Sequence, residues 1–216
     1  MFHKLTSTEQ ADLDLANDLL STGLDMISDD VVSVYEKVLP ESTYTILLQE
    51  VVPRLVEPGS DGDYFTHEQV RTWGVDPVLG APEDPGTEYY RTFECPVGLD
   101  GHLYEIVVPM VPPSWNSTDR VAQYEAAGNH GATAVGYCLL DTLQPAIDES
   151  EDYYQHSVLT HFLLDGHNKM EAAARQGTPI RLLSFLDERI SISSMAEVQT
   201  VIQSLSRPQQ ARVRPH

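Results

Sequence analysis

The sequence predicts an α/β (α+β) fold in which helices flank a mixed sheet, with a helical and hairpin extension at the N-terminus. Two continuous apolar runs, at residues 132–140 and 159–164, have the length of buried strands. Around them lie segments with helical spacing and turns marked by glycine and proline. Because strands and helices alternate along this part of the chain, we expect helices packed on a mixed sheet.

Residues 1–100 are predicted to form an acidic extension of helices, one strand and a hairpin arm. Residues 7–10 (Ser-Thr-Glu-Gln) match a capping box that starts a first helix, and Pro40 ends a second. The β-branched and apolar residues 43–52 predict a strand. The segment 57–87 is rich in Gly, Pro and Asp, which predicts a long connection with one short helical piece at its centre.

Residues 101–190 are predicted to form the core. Strand-like runs at 88–95 and 102–108 flank a turn that contains Pro and Gly, which predicts a hairpin. A helix is predicted over 119–127, with Ser-Thr-Asp at its start and Gly128 at its end. The acidic segment 141–157 is predicted to be a polar spacer between two strands.

The predicted core ends with a helix over 165–176 and a strand over 180–185. Residues 191–216 are predicted to form a C-terminal helix and a tail whose Pro- and Arg-containing end frays. Cys95 and Cys138 form no Cys-x-x-Cys pair, so both are predicted to be buried strand residues rather than ligands or nucleophiles.

The net charge limits the classes of partner. The 216 residues carry 13 basic and 33 acidic side chains, a formal charge of −20, which opposes a broad grip on a nucleic-acid backbone. No apolar run approaches the roughly 20 residues that span a bilayer, and the first residues lack the apolar core of a signal peptide. We therefore expect a cytoplasmic protein that does not bind membranes. The sequence leaves open whether it forms a homo-oligomer.

The turn at residues 165–169, Asp-Gly-His-Asn-Lys, is the strongest candidate site. It follows an apolar run and precedes an alanine-rich helix. The first N–H groups of a helix lack intrahelical partners and carry the positive end of its dipole, so a Gly-containing turn there suits an anion, above all phosphate. A structural interpretation stays open, in which Asp165 caps the helix and His167 and Lys169 are ordinary first-turn residues.

The order of elements around this turn resembles the ParB/sulfiredoxin superfamily. Within residues 103–187 the matching features are the strand that ends at 108–109, Arg120 near a helix start, the run 131–140, and the Asp-Gly-His-x-Lys box with its Ala-rich helix and Gly-x-Pro turn. The chain resembles the free-serine kinase branch more than chromosome-partitioning ParB proteins, whose Arg-rich box is missing.

The resemblance implies nucleotide handling, with ATP or ADP and Mg²⁺ as cofactors. The residues that would bind the nucleotide are Gly166, His167, Asn168, Lys169 and Arg120. Asp165 would lie near the metal or the acceptor hydroxyl, which makes Asp165 and His167 the candidate catalytic pair. Lys169 stands where Arg is common, which keeps the charge but loses the bidentate fork. The turn has no cysteine, so the sulfiredoxin reaction is disfavoured.

We therefore expect a nucleotide-dependent phosphotransferase, a kinase-like enzyme that acts on a small hydroxyl- or amino-bearing metabolite. Phosphoryl transfer needs phosphate clamps, a metal-binding carboxylate and a group that orients the acceptor, and the turn offers each of these. A noncatalytic nucleotide- or metabolite-binding protein that acts through partners is the first alternative. A ParB-like nuclease is the second, and the net charge argues against it.

Other polar residues give weaker indications. Three carboxylates near predicted element ends are candidate second catalytic groups, although a solvated or capping role is favoured for each: Glu105, Asp119 and Asp141. The histidines at 156, 161 and 167 fit no common zinc spacing, and His161 is interpreted as a satisfied histidine at a sheet edge. Trp115 is predicted to pack under a proline turn rather than to stack on a base.

Overall fold

The computed structural model has the α/β fold that the sequence predicts. It describes residues 34, 35, 37, 39–60, 62–65, 87–97, 101–128, 132–143, 155–191, 193–204 and 213–215. In this part of the chain eight strands form one mixed sheet. The strands are β1 (Tyr44–Val51), β2 (Arg54–Val56), β3 (Tyr89–Val97), β4 (Gly101–Pro109), β5 (Thr133–Leu143), β6 (Gln155–Asp165), β7 (Ile180–Asp187) and β8 (Val213–Pro215).

The sheet has the order β2-β3-β4-β6-β5-β7-β1-β8. The pairs β4–β6 and β5–β7 are parallel, and the other neighbours are antiparallel. In the parallel pair β4–β6, Pro109 at the end of β4 lies opposite Leu163 of β6. The carboxyl ends of β4 and β6 therefore lie side by side.

Three α-helices are described: α1 (Thr118–Ala127), α2 (His167–Gln176) and α3 (Met195–Ser204). They follow β4, β6 and β7, and a 3-10 helix at Pro113–Trp115 precedes α1. Ser117 caps α1, since its side chain accepts the Arg120 N–H, and Gly128 ends α1 in the left-handed conformation. The helices predicted near residue 10 and at 66–73 lie outside the described residues.

The predicted strands and helices between residues 43 and 204 are confirmed where the structure describes them, but two predictions of irregular chain are wrong. β5 and β6 extend into the predicted spacer, where Asp141 pairs with Val158. The tail predicted to fray forms β8, in which Val213 lies opposite Leu47 of β1. Both errors have one cause. A strand pairs with the backbone N–H and C=O groups of a neighbouring strand, and the polarity of its side chains does not indicate whether such a neighbour is present.

The predicted boundary at residue 100 falls inside the sheet. β3 and β4 lie on its two sides and form the predicted hairpin, with Val97 opposite Gly101. β1, from the predicted extension, pairs with β7 from the predicted core. Strands from residues 1–100, 101–190 and 191–216 therefore contribute to one hydrogen-bonded sheet.

The interior face of the sheet is built in layers. One apolar cluster joins strands β1, β4, β5, β6 and β7 to α3: Leu47, Leu103, Cys138, Leu140, Leu159, Leu186, Val198 and Val201. A second joins the same strands and β3 to α2: Val51, Tyr90, Val107, Ala132, Ala134, Leu163, Met170, Ala173, Ile180 and Leu182. Because side chains two residues apart share a face of a strand, one position per strand lies between the two clusters.

Polar residues occupy this middle layer. It is formed by Gln49 of β1, Glu105 of β4, His161 of β6 and Ser184 of β7, all 0% exposed, with Gly136 on β5. Gln49 Nε2 donates to Glu105 Oε1 at 2.7 Å. Three strands separate β1 from β4 in the sheet, so this contact requires the sheet to curl until β1 and β4 face each other.

Glu105 is the centre of the polar layer. Its Oε1 lies 3.1 Å from His161 Nε2, Thr92 Oγ1 donates to its Oε2 at 2.6 Å, and His161 Nδ1 lies 2.7 Å from Ser184 Oγ. Burial raises the pKa of the Glu105 carboxyl, but the hydrogen bond and charge of His161 and the hydrogen bonds from Thr92 and Gln49 lower this pKa further, below its usual value. The favoured solvated or capping role of Glu105 is therefore wrong, because the carboxylate is buried and its partners lie on β1, β3 and β6. His161 is satisfied as predicted, but it lies on a central strand.

The Glu105→Gln substitution should lower the free energy of unfolding at neutral pH by about 2 kcal/mol, because the ionised acceptor of three hydrogen bonds is lost. The pKa of Glu105 is lowered on folding, so its contribution is present above the unfolded-state pKa of roughly 4.3 and is lost as the pH falls through the folded-state pKa. The free energies of unfolding of the wild type and Glu105→Gln, measured in urea, should therefore converge as the pH falls through the folded-state pKa. Glu50→Gln, at an exposed position of β1, is the control. The same pH dependence in wild type and Glu105→Gln would contradict this assignment.

Candidate functional site

The turn at residues 165–169 lies at a strand-to-helix junction, as predicted. Asp165 is the last residue of β6, Gly166 is the N-cap residue and α2 begins at His167. The flanking strands are adjacent, because β5 pairs with β6 over most of its length. The junction lies beside the carboxyl ends of β4 and β6. In α/β sheets ligand sites commonly lie at the carboxyl ends of strands.

Gly166 is required at this junction by backbone conformation and by space. Its φ of 90° is in the left-handed region, which residues with a side chain rarely adopt. A Cβ built on Gly166 would lie 2.9 Å from Ala134 Cα and 2.9 Å from Ala134 Cβ. The junction is therefore held closely against the start of β5.

The start of α2 has no side-chain cap. The Met170 N–H donates to the Gly166 carbonyl at 2.8 Å, which leaves the three preceding N–H groups without intrahelical acceptors. Asp165 makes no capping hydrogen bond, so the structural interpretation of Asp165 as a cap is wrong. The reason is positional: glycine, not Asp165, occupies the N-cap.

His167 is a half-buried imidazole at the first position of α2. Its Nε2 atom is buried and has no hydrogen-bond partner in the described part of the chain. Burial lowers the pKa of His167 below its usual value, against the opposing charge of Asp165. His167 is therefore a neutral imidazole at neutral pH, available for one directional hydrogen bond rather than for charge attraction.

Lys169 and Asn168 make contacts within the protein. Lys169 Nζ donates to the Thr133 carbonyl at 3.2 Å and lies 6.0 Å from the centre of the Tyr124 ring. Asn168 Oδ1 accepts the Ser117 N–H at 2.9 Å. These two residues tie α2 to β5 and to the start of α1, a structural role that the motif alone does not reveal.

Helices α1 and α2 are parallel neighbours. Ser117 contacts Asn168 at their starts, and at their ends Gln176 Nε2 donates to the Glu125 carbonyl at 2.8 Å. Both helices therefore direct their N-terminal ends to the same region. Arg120 lies exposed in the first turn of α1. Two positive helix ends meet there, which favours an anion, and the first turn of α1 carries both Arg120 and Asp119.

A groove of about 420 Å³ runs along α2 and contains residues that the sequence did not single out. Glu171, 8% exposed, lines it. Its carboxylate accepts from Asn116 Nδ2 at 2.5 Å and from Arg175 Nη2 at 2.5 Å. The spacing of Glu171 and Arg175 by four residues was a usable signal for this pair. The contact with Asn116 depends on how α1 and α2 meet, which the sequence does not report.

The other predicted site residues lie apart from the turn. Glu105 is buried in the polar layer, Asp119 is exposed in the first turn of α1, and Asp141 is half-buried on β5. Trp115 is 77% exposed, so its predicted packing under the proline turn is wrong: the 3-10 helix presents its ring to solvent. Cys138 is buried as predicted, whereas Cys95 is half-buried.

Metal ligands, membrane-spanning helices and similar proteins were each considered for the chain. Among the residues that the structure describes, no three His, Cys, Asp or Glu side chains are grouped as metal ligands. Of the described helices, none is long and apolar enough to cross a lipid bilayer. Comparisons of the chain with protein-family models, curated proteins and solved structures returned no match.

Gly166→Ala should lower the free energy of unfolding by about 3 kcal/mol, because it combines a left-handed φ with a clash at Ala134. Gly177→Ala is the matched control: Gly177, at the end of α2, also has a left-handed φ, of 60°, but its Cβ would meet no atom within 4 Å. This control should lose only about 1 kcal/mol. Urea denaturation measures both losses. Equal losses in the two variants would show that the contact with Ala134 does not constrain the turn.

Proposed function

We propose that the chain binds the phosphates of ATP or ADP at the joint start of α1 and α2 and transfers a phosphoryl group to a small hydroxyl- or amino-bearing metabolite. The observation that carries the proposal is the uncapped start of α2 beside the parallel start of α1. Such N–H groups and aligned dipoles are suited to a phosphate. The resemblance to the ParB/sulfiredoxin superfamily, and to its kinase branch in particular, supports a nucleotide as the source of this phosphate.

The phosphates would contact the backbone N–H groups at the start of α2, those of His167, Asn168 and Lys169, beside Gly166 at the N-cap. Arg120 would add a bidentate guanidinium from α1, and Lys169 would add positive charge from the first turn of α2. The neutral His167 imidazole would supply one hydrogen bond through its buried Nε2. This set provides both positive charge and directional donors, as phosphoryl transfer needs.

Asp165 fits the role of a metal-binding carboxylate. It is half-buried at the end of β6, directly before the helix start. Mg²⁺ commonly takes one or two carboxylates and completes its shell with phosphate oxygens and water, so a single protein carboxylate is sufficient. When bound, the ion would neutralise charge on the transferred group. Asp165 would hold the ion, or would accept a hydrogen bond from the attacking hydroxyl of the acceptor. His167 would accept the proton of that hydroxyl.

A noncatalytic nucleotide- or metabolite-binding role is the second candidate. It is favoured by the contacts of Lys169 and Asn168 with Thr133 and Ser117, which give two of the five turn residues a structural task. In this case the turn would bind phosphate without transferring it, and partners would sense the bound state. A nuclease role has less support, because the charge of −20 repels a nucleic-acid backbone. Either activity would belong to a cytoplasmic protein, in which formation of a homo-oligomer is left open.

Arg120→Ala should weaken ATP binding about tenfold or more, the scale of one hydrogen bond to a charged group, without altering the fold. The fold is expected to persist because the Arg120 side chain is exposed. Isothermal titration calorimetry at low salt with Mg²⁺ measures the affinity, and circular dichroism checks the helices. Arg189→Ala removes an exposed guanidinium after β7 and should leave ATP binding unchanged. Absence of ATP binding in the wild type would refute the proposal.

Asp165→Asn should reduce phosphoryl transfer by about a hundredfold or more and change ATP affinity only a few fold, since a carboxylate matters most as charge develops in the transition state. The amide keeps the shape of the side chain, and α2 has no side-chain cap that the change could remove. Turnover and affinity should be measured on the same preparations. Turnover close to that of the wild type would exclude Asp165 as a catalytic group; ATP binding without turnover in the wild type would favour the noncatalytic role.

A further inference from the structure

The groove beside α2 brings together two carboxylates, a phenol and an apolar wall. Its volume of about 420 Å³ is within the range of small-molecule sites. Five parts of the chain line it: β2, the start of β3 with the residue before it, the segment between β4 and α1, the first residue of α1, and one face of α2. The lining residues are Leu55, Glu88, Tyr90, Pro113, Ser114, Asn116, Thr118, Glu171, Ala174 and Arg175.

The acidic groups of the groove are close to one another. Glu88 and Glu171 both line it, and the Tyr90 phenol lies near both. Burial raises the pKa of Tyr90, and the charges of Glu171 and then Glu88 raise it further. The phenol therefore remains protonated and neutral, with its ring as part of the groove wall.

The charges of the groove do not cancel. Arg175 is held by Glu171 at 2.5 Å and by Glu125 at 3.9 Å, so the guanidinium is already paired. Glu88 is left as an uncompensated carboxylate among the lining residues. The chain as a whole carries −20, which attracts cations toward such a cleft over a longer range.

The remaining lining is apolar. Leu55 is 39% exposed on the short strand β2, and Pro113, Ala174 and the Tyr90 ring complete the wall. A large exposed aliphatic side chain beside a groove gains free energy when a ligand covers it. The groove thus offers an apolar surface along its length and uncompensated negative charge at Glu88.

We propose that this groove binds a small organic cation: a primary amine on a short apolar body. The ammonium lies against Glu88, and the apolar body lies against Leu55 and Ala174, beside the Tyr90 ring. The site goes beyond the proposed function and does not depend on it, because none of its lining residues belongs to the turn at 165–169.

Phenethylamine and 2-phenylethanol form a matched pair of probes, since they share the apolar body and differ in the charged group. Titration of the full chain, followed by backbone amide NMR signals, should show phenethylamine shifting the signals of the lining residues. The uncharged alcohol should bind about tenfold more weakly. The anion 3-phenylpropanoate tests the sign of the charge in the groove and should bind most weakly of the three probes.

Three variants locate the binding. Glu88→Gln should weaken phenethylamine binding about fivefold or more and leave 2-phenylethanol unchanged. Glu41→Gln removes one exposed negative charge before β1 and should change neither. Ala174→Leu places a larger side chain in the groove and should weaken the amine and the alcohol alike. Circular dichroism confirms that each variant is folded.

Preference for the amine over the alcohol, lost in Glu88→Gln and kept in Glu41→Gln, establishes the site. Equal binding of the three probes, tighter binding of the anion, or absence of shifts at the lining residues overturns it. Equal weakening by Glu88→Gln and Glu41→Gln also overturns it, because the net charge of the chain would then explain the preference. Since these titrations contain no nucleotide, their outcome is independent of phosphate binding at α2.

Discussion

The hydrogen bond between Glu105 and His161 fixes the relation between the two strands that lead to the candidate site. Glu105 lies on β4 and His161 on β6, the parallel pair whose carboxyl ends meet at one edge. Gln49 on β1 reaches the same carboxylate from across the curled sheet. Because β4 and β6 continue toward α1 and α2, the register held in the interior also determines where the two helices begin.

Burial of a carboxylate such as Glu105 costs free energy when the carboxylate has no partners. When it has its partners, it favours the correct strand register. Replacing a buried charged network by apolar side chains is often neutral or stabilising, so the network is poor evidence of stability in itself. Its effect on register is stronger. A slip of β4 by one residue would turn Glu105 to the opposite face of the sheet and leave Gln49, Thr92 and His161 without their acceptor. The polar layer therefore destabilises wrong strand pairings more than it stabilises the correct one.

The sequence predicts local features of this protein well and long-range ones poorly. The turn around Gly166 and the strand runs were predictable, because glycine at a junction and the length of an apolar run report local conformation. The polar layer was not, since Gln49 and Glu105 are 56 residues apart and meet only after the sheet curls. The internal contact of Lys169 with Thr133 escaped prediction for the same reason. A motif gives the types of the side chains, while the neighbouring strands determine which of them remain available for a ligand.

The two proposed sites lie along helix α2 and would take ligands of opposite charge. Its N-terminal end favours an anion, whereas Glu171 carries negative charge about 6 Å further along the helix. An unpaired carboxylate at that distance would repel a bound phosphate. Arg175 and Asn116 donate to Glu171 and so reduce this repulsion. With Glu171 paired, the uncompensated negative charge of the groove lies on Glu88, outside α2. An anion at the start of α2 and a cation in the groove are therefore compatible.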